Sequence, residues 1–133
     1  MEPPPTGRLV ELPLLGSVPA GRPLEVLASE ERFAVPEYLV PGARAYVLRV
    51  RGDSMQDEQI RDGDYVVVED RPVPKNGETV VALLRGSEVT LKKFYRDRGK
   101  VKLAPANPAF ESLVLPAREV RIQGIVRGLF RRY

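Results

Sequence analysis

The stretch that decides the fold reads Thr79-Val-Val-Ala-Leu-Leu-Arg-Gly-Ser-Glu-Val-Thr-Leu-Lys-Lys-Phe-Tyr95. Residues 79–85 and 88–95 are two apolar runs of strand length, rich in β-branched and aromatic side chains, and Gly86-Ser87 separates them. A two-residue connection with glycine at its first position is typical of a tight β-hairpin turn. The stretch therefore predicts an antiparallel hairpin.

Further runs with the composition of strands lie on both sides of this hairpin, at residues 45–51, 65–69, 100–103 and 120–130. Gly124 and Gly128 predict bulges or bends in the last of them. Thirteen prolines and eleven glycines divide the chain into short segments, which leaves room for one helical turn at 36–39 and one or two at 54–60. We therefore expect a compact, multi-stranded, mostly β domain with one or two very short helices.

The 133 residues match the size of one domain. Residues 1–11, with three consecutive prolines, are expected to be a flexible arm or a linker remnant, and residues 12–133 to form the domain. No apolar run approaches the roughly 20 residues that span a bilayer. The N-terminus lacks the basic and apolar regions of a signal peptide, so a cytoplasmic location is expected.

The chain contains no histidine, cysteine or tryptophan. These absences exclude disulfides, a thiol nucleophile, a Ser-His-Asp triad and any imidazole or thiolate metal site. No metal or cofactor is expected. If the protein is a hydrolase with a covalent nucleophile, that group must be serine, threonine, lysine or a carboxylate, and its base a lysine, a carboxylate or an amine.

Basic residues are concentrated at 92–102 and 127–132, although the formal net charge is only +3. We interpret both stretches as solvated strand edges and hairpin ends in preference to a nucleic-acid site, because lysine and arginine often protect exposed edges.

A serine follows one predicted strand directly, in Arg51-Gly-Asp-Ser-Met55. A turn there can expose the Ser54 hydroxyl and direct free backbone N–H groups at one point, as an oxyanion hole requires. Taken alone, the pattern fits a helix N-cap better. The following Asp62-Gly63-Asp64 predicts a turn that leads into the strand at Tyr65.

Lys92 and Lys93 are the candidate bases. An unperturbed lysine has a pKa of about 10.4, and burial in apolar surroundings lowers that pKa by several units. Strand alternation sends the two side chains to opposite faces, which leaves open which of them is buried, or whether both are exposed.

The segment from Leu12 to Pro23 is apolar, yet its prolines and glycines argue against a stable interior strand. Composition alone favours an edge strand leading into a loop. An extended peptide with small side chains also suits a protease cleft, and Ala20-Gly21 is its least bulky peptide bond.

Taken together, these motifs resemble the self-cleaving C-terminal domain of LexA-type repressors, which is related to the UmuD polymerase subunits and to signal peptidases in its serine–lysine chemistry. The resemblance covers about residues 12–133 and depends on five features in order: Val-Pro-Ala-Gly at 18–21, Arg-Gly-Asp-Ser-Met at 51–55, Asp-Gly-Asp at 62–64, Val-Thr-Leu-Lys at 89–92 and Gly-Leu-Phe-Arg-Arg-Tyr at 128–133.

The resemblance implies roles for the matching positions. Ser54 corresponds to the nucleophile and Ala20-Gly21 to the scissile bond. Lys92, and not Lys93, corresponds to the general base. The backbone N–H groups of Ser54 and Met55 correspond to an oxyanion hole, and Val18 and Pro19 to contacts of the cleavage loop, at about residues 12–30, with the cleft.

The family also implies partners: a homodimer, the RecA filament as co-protease in the SOS response to DNA damage, and operator DNA bound through a helix-turn-helix domain that these residues do not include. Three other interpretations remain: a short UmuD-like subunit of a damage-tolerance polymerase, a non-catalytic dimerisation module, and a signal-peptidase-like enzyme acting in trans.

Overall fold

The computed structural model describes residues 8–19, 25–26, 29–42, 44–52, 59–106, 109 and 111–133. This part of the chain contains ten strands: β1 (Leu9–Pro19), β2 (Glu25–Val26), β3 (Arg32–Pro36), β4 (Ala45–Arg51), β5 (Tyr65–Glu69), β6 (Thr79–Leu84), β7 (Glu88–Asp97), β8 (Lys100–Ala104), β9 (Leu113–Pro116) and β10 (Val120–Phe130). Its helical elements are two 3-10 turns, Glu37–Leu39 and Ala117–Glu119. The prediction of a mostly β domain is confirmed.

The strands form one sheet in the order β2-β1-β4-β5-β10-β6-β7-β8-β9, and β3 also pairs with β1. Residues 79–95 form the predicted hairpin, with Thr79 opposite Lys93 and Leu84 opposite Glu88. The predicted turn is wrong by one residue: Arg85 and Gly86 are the central residues, with φ of 50° and 71°. A turn with two positive φ values matches the twist of the strands, and the Ser87 N–H closes it on the Leu84 carbonyl.

The predicted bulges of β10 are also present. Its pairing with β6 shifts between Ile122 and Gly124, and its pairing with β5 shifts between Val126 and Gly128. A Cβ on Gly124 would lie 2.7 Å from the Glu69 carbonyl oxygen and closer still to the Val68 side chain. Glycine is therefore required at this bulge because the backbone of β5 occupies the space of a side chain.

The expectation that residues 12–23 avoid the interior of the sheet is wrong for the described part, because β1 pairs with three strands. Its first half pairs with β3, its second half with β4, and Gly16 and Ser17 with β2. A register shift between Leu14 and Gly16 absorbs the irregular backbone. The buried side chains of Leu12, Leu14 and Val18 hold β1 in place. Because β1 begins at Leu9, the last three residues of the expected arm belong to the sheet.

Two other expectations have mixed outcomes. The helical turn predicted at 36–39 is present as the 3-10 turn Glu37–Leu39. The helix predicted at 54–60 falls mostly outside the described residues; Gln59 and Ile60, which are described, are not helical, and Gln59 has a φ of 60°. Residues 1–7 of the arm also lie outside the described residues.

Buried side chains form three clusters. The first core joins β1 and β4 to β5, β6 and β7 through Val18, Leu48, Val50, Ile60, Val66, Val68, Val81, Val89 and Leu91. The second core lies under β6 to β10 and comprises Val80, Ala82, Leu84, Phe94, Val101, Leu103, Leu115 and Ile125. The third core packs β1 and β3 against β4 and β5 and comprises Leu12, Leu14, Val35, Val40, Val47, Tyr65 and Val67.

The contact at Gly124 predicts a severe effect of a single methyl group. We expect Gly124→Ala to lower the free energy of unfolding by about 2 kcal/mol or more, because the added Cβ overlaps backbone that cannot move without disturbing β5. Urea unfolding followed by circular dichroism measures the change. The matched control is Gly128→Ala, whose Cβ would meet the flexible end of Leu39 at 3.3 Å and should change stability by less than about 1 kcal/mol. Equal losses in both variants would contradict the argument.

Candidate active site

The parallel pairing of β1 with β4 aligns two of the predicted motifs. Val18 lies opposite Val50 and Pro19 opposite Arg51. Because the strands are parallel, the residues that follow them emerge at the same end of the pair. Ala20 follows Pro19 directly, and Ser54 follows Arg51 by three residues. Ala20, Gly21, Ser54 and Met55 themselves lie outside the described residues.

The chain then reverses beside β1. Strand β2 pairs with it antiparallel, with Ser17 opposite Glu25 and Gly16 opposite Val26. Residues 20–24 therefore connect two paired strands, and the predicted scissile bond lies in this connection. The residues on either side of this connection belong to paired strands.

The segment that carries Ser54 is fixed at both ends. The Gly52 N–H donates to a carboxylate oxygen of Asp62 at 2.8 Å. Val50 exchanges backbone hydrogen bonds with the 62–64 turn, since its N–H donates to the Asp64 carbonyl and its carbonyl accepts from Gly63, both at 2.8 Å. Ile60 is buried in the first core. The Asp-Gly-Asp turn is thus bonded to Val50 and Gly52, which precede the Ser54 segment in the chain.

The first core also brings the motif Val-Thr-Leu-Lys at 89–92 close to β1 and β4. Val18 from β1, Val50 from β4 and Leu91 from β7 are members of that cluster, and none of the three side chains is accessible to solvent. These residues flank, in sequence, the predicted scissile bond, nucleophile and base. Burying them in one cluster brings the three chain segments together through hydrophobic contact.

The structure distinguishes between the two candidate lysines by exposure. Lys92 is half-buried and lies opposite the fully buried Val80 of β6, whereas Lys93 is exposed and lies opposite Thr79. The Lys92 ammonium donates to the carbonyl of Leu91 at 3.3 Å. Of the two, Lys92 is therefore the less exposed.

Strong electrostatic interactions lie at the base of the Ser54 segment. Arg131 donates two hydrogen bonds to the Asp64 carboxylate, from Nε at 2.6 Å and from Nη2 at 2.8 Å. These hydrogen bonds, with a further one from the Arg61 N–H at 2.8 Å, hold the pKa of the Asp64 carboxyl below its usual range although burial opposes the shift. The carboxylate is therefore charged at neutral pH in a site that is 1% exposed.

Comparison with known proteins identifies the family. The sequence profile described as Peptidase S24-like matches residues 13–127. The chain belongs to this peptidase family. It is similar to LexA repressors: that of Novosphingobium aromaticivorans is 44% identical over 131 residues, covering 98% of this chain and 56% of that protein. The repressor of Carboxydothermus hydrogenoformans is 45% identical over 128 residues, covering 94% and 62%.

The LexA repressor of Zymomonas mobilis is 45% identical over 126 residues, which cover 94% of this chain and 58% of that protein. The chain therefore spans little more than half the length of these relatives. The resemblance to LexA-type repressors that the motifs indicated is confirmed.

One buried polar side chain of this S24-like domain has no hydrogen-bond partner among the described residues. Ser17 is fully buried in β1, and its hydroxyl makes no hydrogen bond there. A buried hydroxyl without a partner costs about 1 to 3 kcal/mol. This cost falls on the strand that leads to the predicted scissile bond.

Sequence reasoning missed two contributions to the site. It interpreted Asp62 and Asp64 only as turn residues, and the basic tail only as solvated. In the structure Arg127 pairs with Glu69 and Glu78, whereas Arg131 and Arg132 pair with Asp64 and Glu31. The sequence contains both partners of such ion pairs, an acidic turn and a basic tail. Only the fold shows which carboxylate each arginine binds.

Other features of the described residues lie apart from this site. A groove of about 320 Å³ opens between the segment 72–76 and strands β7, β8 and β10, and contains none of the predicted site residues. No cluster of acidic side chains in the described ranges is suited to hold a metal ion. No helix in the same part of the chain is long and apolar enough to cross a membrane.

Removing the Ser17 hydroxyl should stabilise the domain. We expect Ser17→Ala to raise the free energy of unfolding by about 1 kcal/mol, because the substitution removes a buried oxygen that has no hydrogen-bond partner among the described residues. Urea unfolding measures this change. Ser87→Ala, in the exposed β6–β7 turn, is the matched control and should stay within about 0.5 kcal/mol. A clear loss of stability in Ser17→Ala would show that the hydroxyl has a partner.

The ion pairs predict how stability depends on pH. Asp64 and Glu78 both have folded-state pKa values below their usual range, chiefly through Arg131 and Arg71. The stability they contribute is complete above the unfolded pKa of about 4 and is lost as pH falls through the lower folded values. The melting temperature should therefore change little between about pH 7 and 5 and fall below about pH 4.

Differential scanning calorimetry at several pH values measures this profile. Asp64→Asn should lower the melting temperature at neutral pH and reduce its fall in acid, because one of the two groups no longer titrates. An unchanged acid limb in Asp64→Asn would contradict the role of this carboxyl.

Proposed function

We propose that the chain is the self-cleaving domain of an SOS-response repressor and that it cuts its own Ala20-Gly21 bond with Ser54 and Lys92. The observation that carries this proposal is the parallel register of β1 and β4, with Pro19 opposite Arg51. A substrate segment held beside the strand that leads to the nucleophile suits cleavage within one molecule. Membership of a peptidase family supports the same chemistry.

The mechanism has two stages: Ser54 is first acylated, and the resulting ester is then hydrolysed. Neutral Lys92 accepts the hydroxyl proton of Ser54 as its oxygen attacks the Ala20 carbonyl carbon. The tetrahedral intermediate collapses as the bond to the Gly21 nitrogen breaks, and protonated Lys92 donates its proton to that leaving amine. Water then hydrolyses the ester between Ser54 and Ala20. The backbone N–H groups of Ser54 and Met55 are the proposed donors to the oxyanion.

Chain connectivity supports cleavage in cis. The scissile connection begins on β1 and returns on β2, so it is tethered to the domain at both ends. A tethered peptide has a high effective concentration, and cleavage then depends on the fraction of molecules in which it is docked. Val18 and Pro19 are the proposed contacts of this peptide with its cleft.

The proposal extends to the whole protein of which such a domain is a part. We propose that it is cytoplasmic and dimeric, that an additional helix-turn-helix domain binds operator DNA, and that the RecA filament on single-stranded DNA accelerates the cut. The similarity to LexA repressors supports these assignments. A RecA-dependent rise in cleavage rate at neutral pH would test the last of them directly.

The decisive experiment is incubation of the purified chain at about pH 9 to 10, where a larger fraction of any lysine is neutral, followed by intact mass measurement. We expect fragments 1–20 and 21–133, formed at a first-order rate that does not depend on protein concentration. Ser54→Ala and Lys92→Ala should both remain whole.

Lys93→Ala is the matched control, because it removes the exposed neighbour of Lys92 on the same strand. It should cleave at a rate close to that of the parent chain. Cleavage by Lys92→Ala together with an intact Lys93→Ala would reassign the base to Lys93. A chain that remains whole after prolonged incubation would overturn the proposal, and a second-order rate would replace self-cleavage with cleavage in trans.

A further inference from the structure

The bidentate pair between Arg131 and Asp64 joins the residue after β10 to the loop that precedes β5. Its two contacts, Nε to Oδ1 at 2.6 Å and Nη2 to Oδ2 at 2.8 Å, have the geometry in which a guanidinium binds a carboxylate most strongly. Asp64 and Ser17 are the buried polar residues of the described chain. A charged carboxylate at this depth requires a cation to remain there.

Asp64 is also the residue through which the Ser54 segment is anchored. Its carbonyl accepts from the Val50 N–H, and its own N–H donates to the Arg61 carbonyl. Its carboxylate accepts from the Arg61 N–H. These bonds involve Val50 and Arg61, which lie on either side of residues 53–58 in the chain. A displacement of Asp64 therefore changes the spacing of both ends at once.

Strand β10 is held in place without the help of Arg131. Phe130 pairs with Tyr65 in the ladder, and their rings stack with centroids 5.0 Å apart. Arg132 donates to the Tyr65 hydroxyl and to Glu31. Loss of the Arg131 side chain should therefore leave the strand paired and act on Asp64. The charge of Arg61 also favours the Asp64 carboxylate, but less than the hydrogen bonds from Arg131.

We propose that Arg131 is a positioning residue for self-cleavage: by neutralising Asp64 it fixes the ends of the segment that carries Ser54. This role requires no contact with the reacting atoms, and the inference rests on the proposed function of Ser54. Without Arg131, the buried carboxylate must move toward water or take up a proton, and either change releases hydrogen bonds at the base of the loop. The nucleophile then spends less time in the geometry that attack requires.

The test compares first-order self-cleavage rates of folded variants, at a temperature well below every melting point. Arg131→Met keeps the length of the side chain and removes its charge, and we expect a loss of about tenfold or more in rate. Arg131→Lys restores one charge without the two-pronged geometry and should recover part of that loss. A wild-type rate in Arg131→Met would overturn the proposal.

The matched control is Arg71→Met. Arg71 also makes a bidentate pair, with Glu78 at 3.1 and 2.8 Å, and contacts Glu69 at the far end of β5 from Asp64. We expect this variant to lower the melting temperature at least as much as Arg131→Met while its cleavage rate stays within about twofold. Equal slowing in both variants would mean that lost stability explains the effect, and the proposal would fail.

A double variant isolates the role of the buried charge. Asp64→Asn with Arg131→Met leaves no unpaired carboxylate, so it should cleave faster than Arg131→Met alone. Additive losses from the two single changes would contradict the coupling that the proposal requires.

Amide hydrogen exchange in a Ser54→Ala background separates this inference from the proposed function, because it needs no cleavage. Arg131→Met should raise exchange in residues 50–64, and Arg71→Met should not. If the parent chain fails to cleave but this exchange pattern is present, the proposed function fails and the positioning of the segment by Arg131 stands. If the parent chain cleaves but exchange in residues 50–64 does not change, the positioning role is overturned.

Discussion

The parallel pairing of β1 with β4 is the constraint on which the rest of this domain depends. Each of the other described strand pairs is antiparallel. Antiparallel neighbours can be joined by short turns, whereas a parallel pair requires the chain to travel back before the second strand starts. Here the return path includes β2 and β3, which flank β1 on its way to β4. The ends of β1 and β4, Pro19 and Arg51, thus lie side by side.

Hydrophobic burial and ion pairing both stabilise the pairing of β1 with β4 and the turn at 62–64, in different ways. The first core is apolar and non-directional, so it draws β1, β4 and β7 together without fixing the angles of any side chain. The hydrogen bonds around Asp64 are directional and act on one short loop. The domain thus combines an apolar framework with directional hydrogen bonds at the 62–64 turn.

Much of the fold could be predicted because local patterns and tertiary structure agree. β4, β5 and β10 have the bounds that alternation and apolar runs indicate, and the glycines of β10 lie at its bulges. The segment at β1 could not be predicted in this way. Its prolines and glycines argue against a paired strand locally, but a register shift and three strand partners compensate for them. Leu113 to Pro116 was missed because four residues carry too little periodicity to indicate a strand.

The sequence by itself determined the strand content, the hairpin at residues 79–95, the absence of thiol and imidazole chemistry, and the family to which the motifs point. Strand alternation left open which of Lys92 and Lys93 is buried, and only the family resemblance favoured Lys92. The sequence alone assigned no partners to the aspartates of the 62–64 turn. The tertiary structure decided that Lys92 is the less exposed of the two lysines and that Asp64 meets Arg131, 67 residues further along the chain. Such contacts depend on how strands distant in sequence are ordered in the sheet, and periodicity within one segment carries no information about that order.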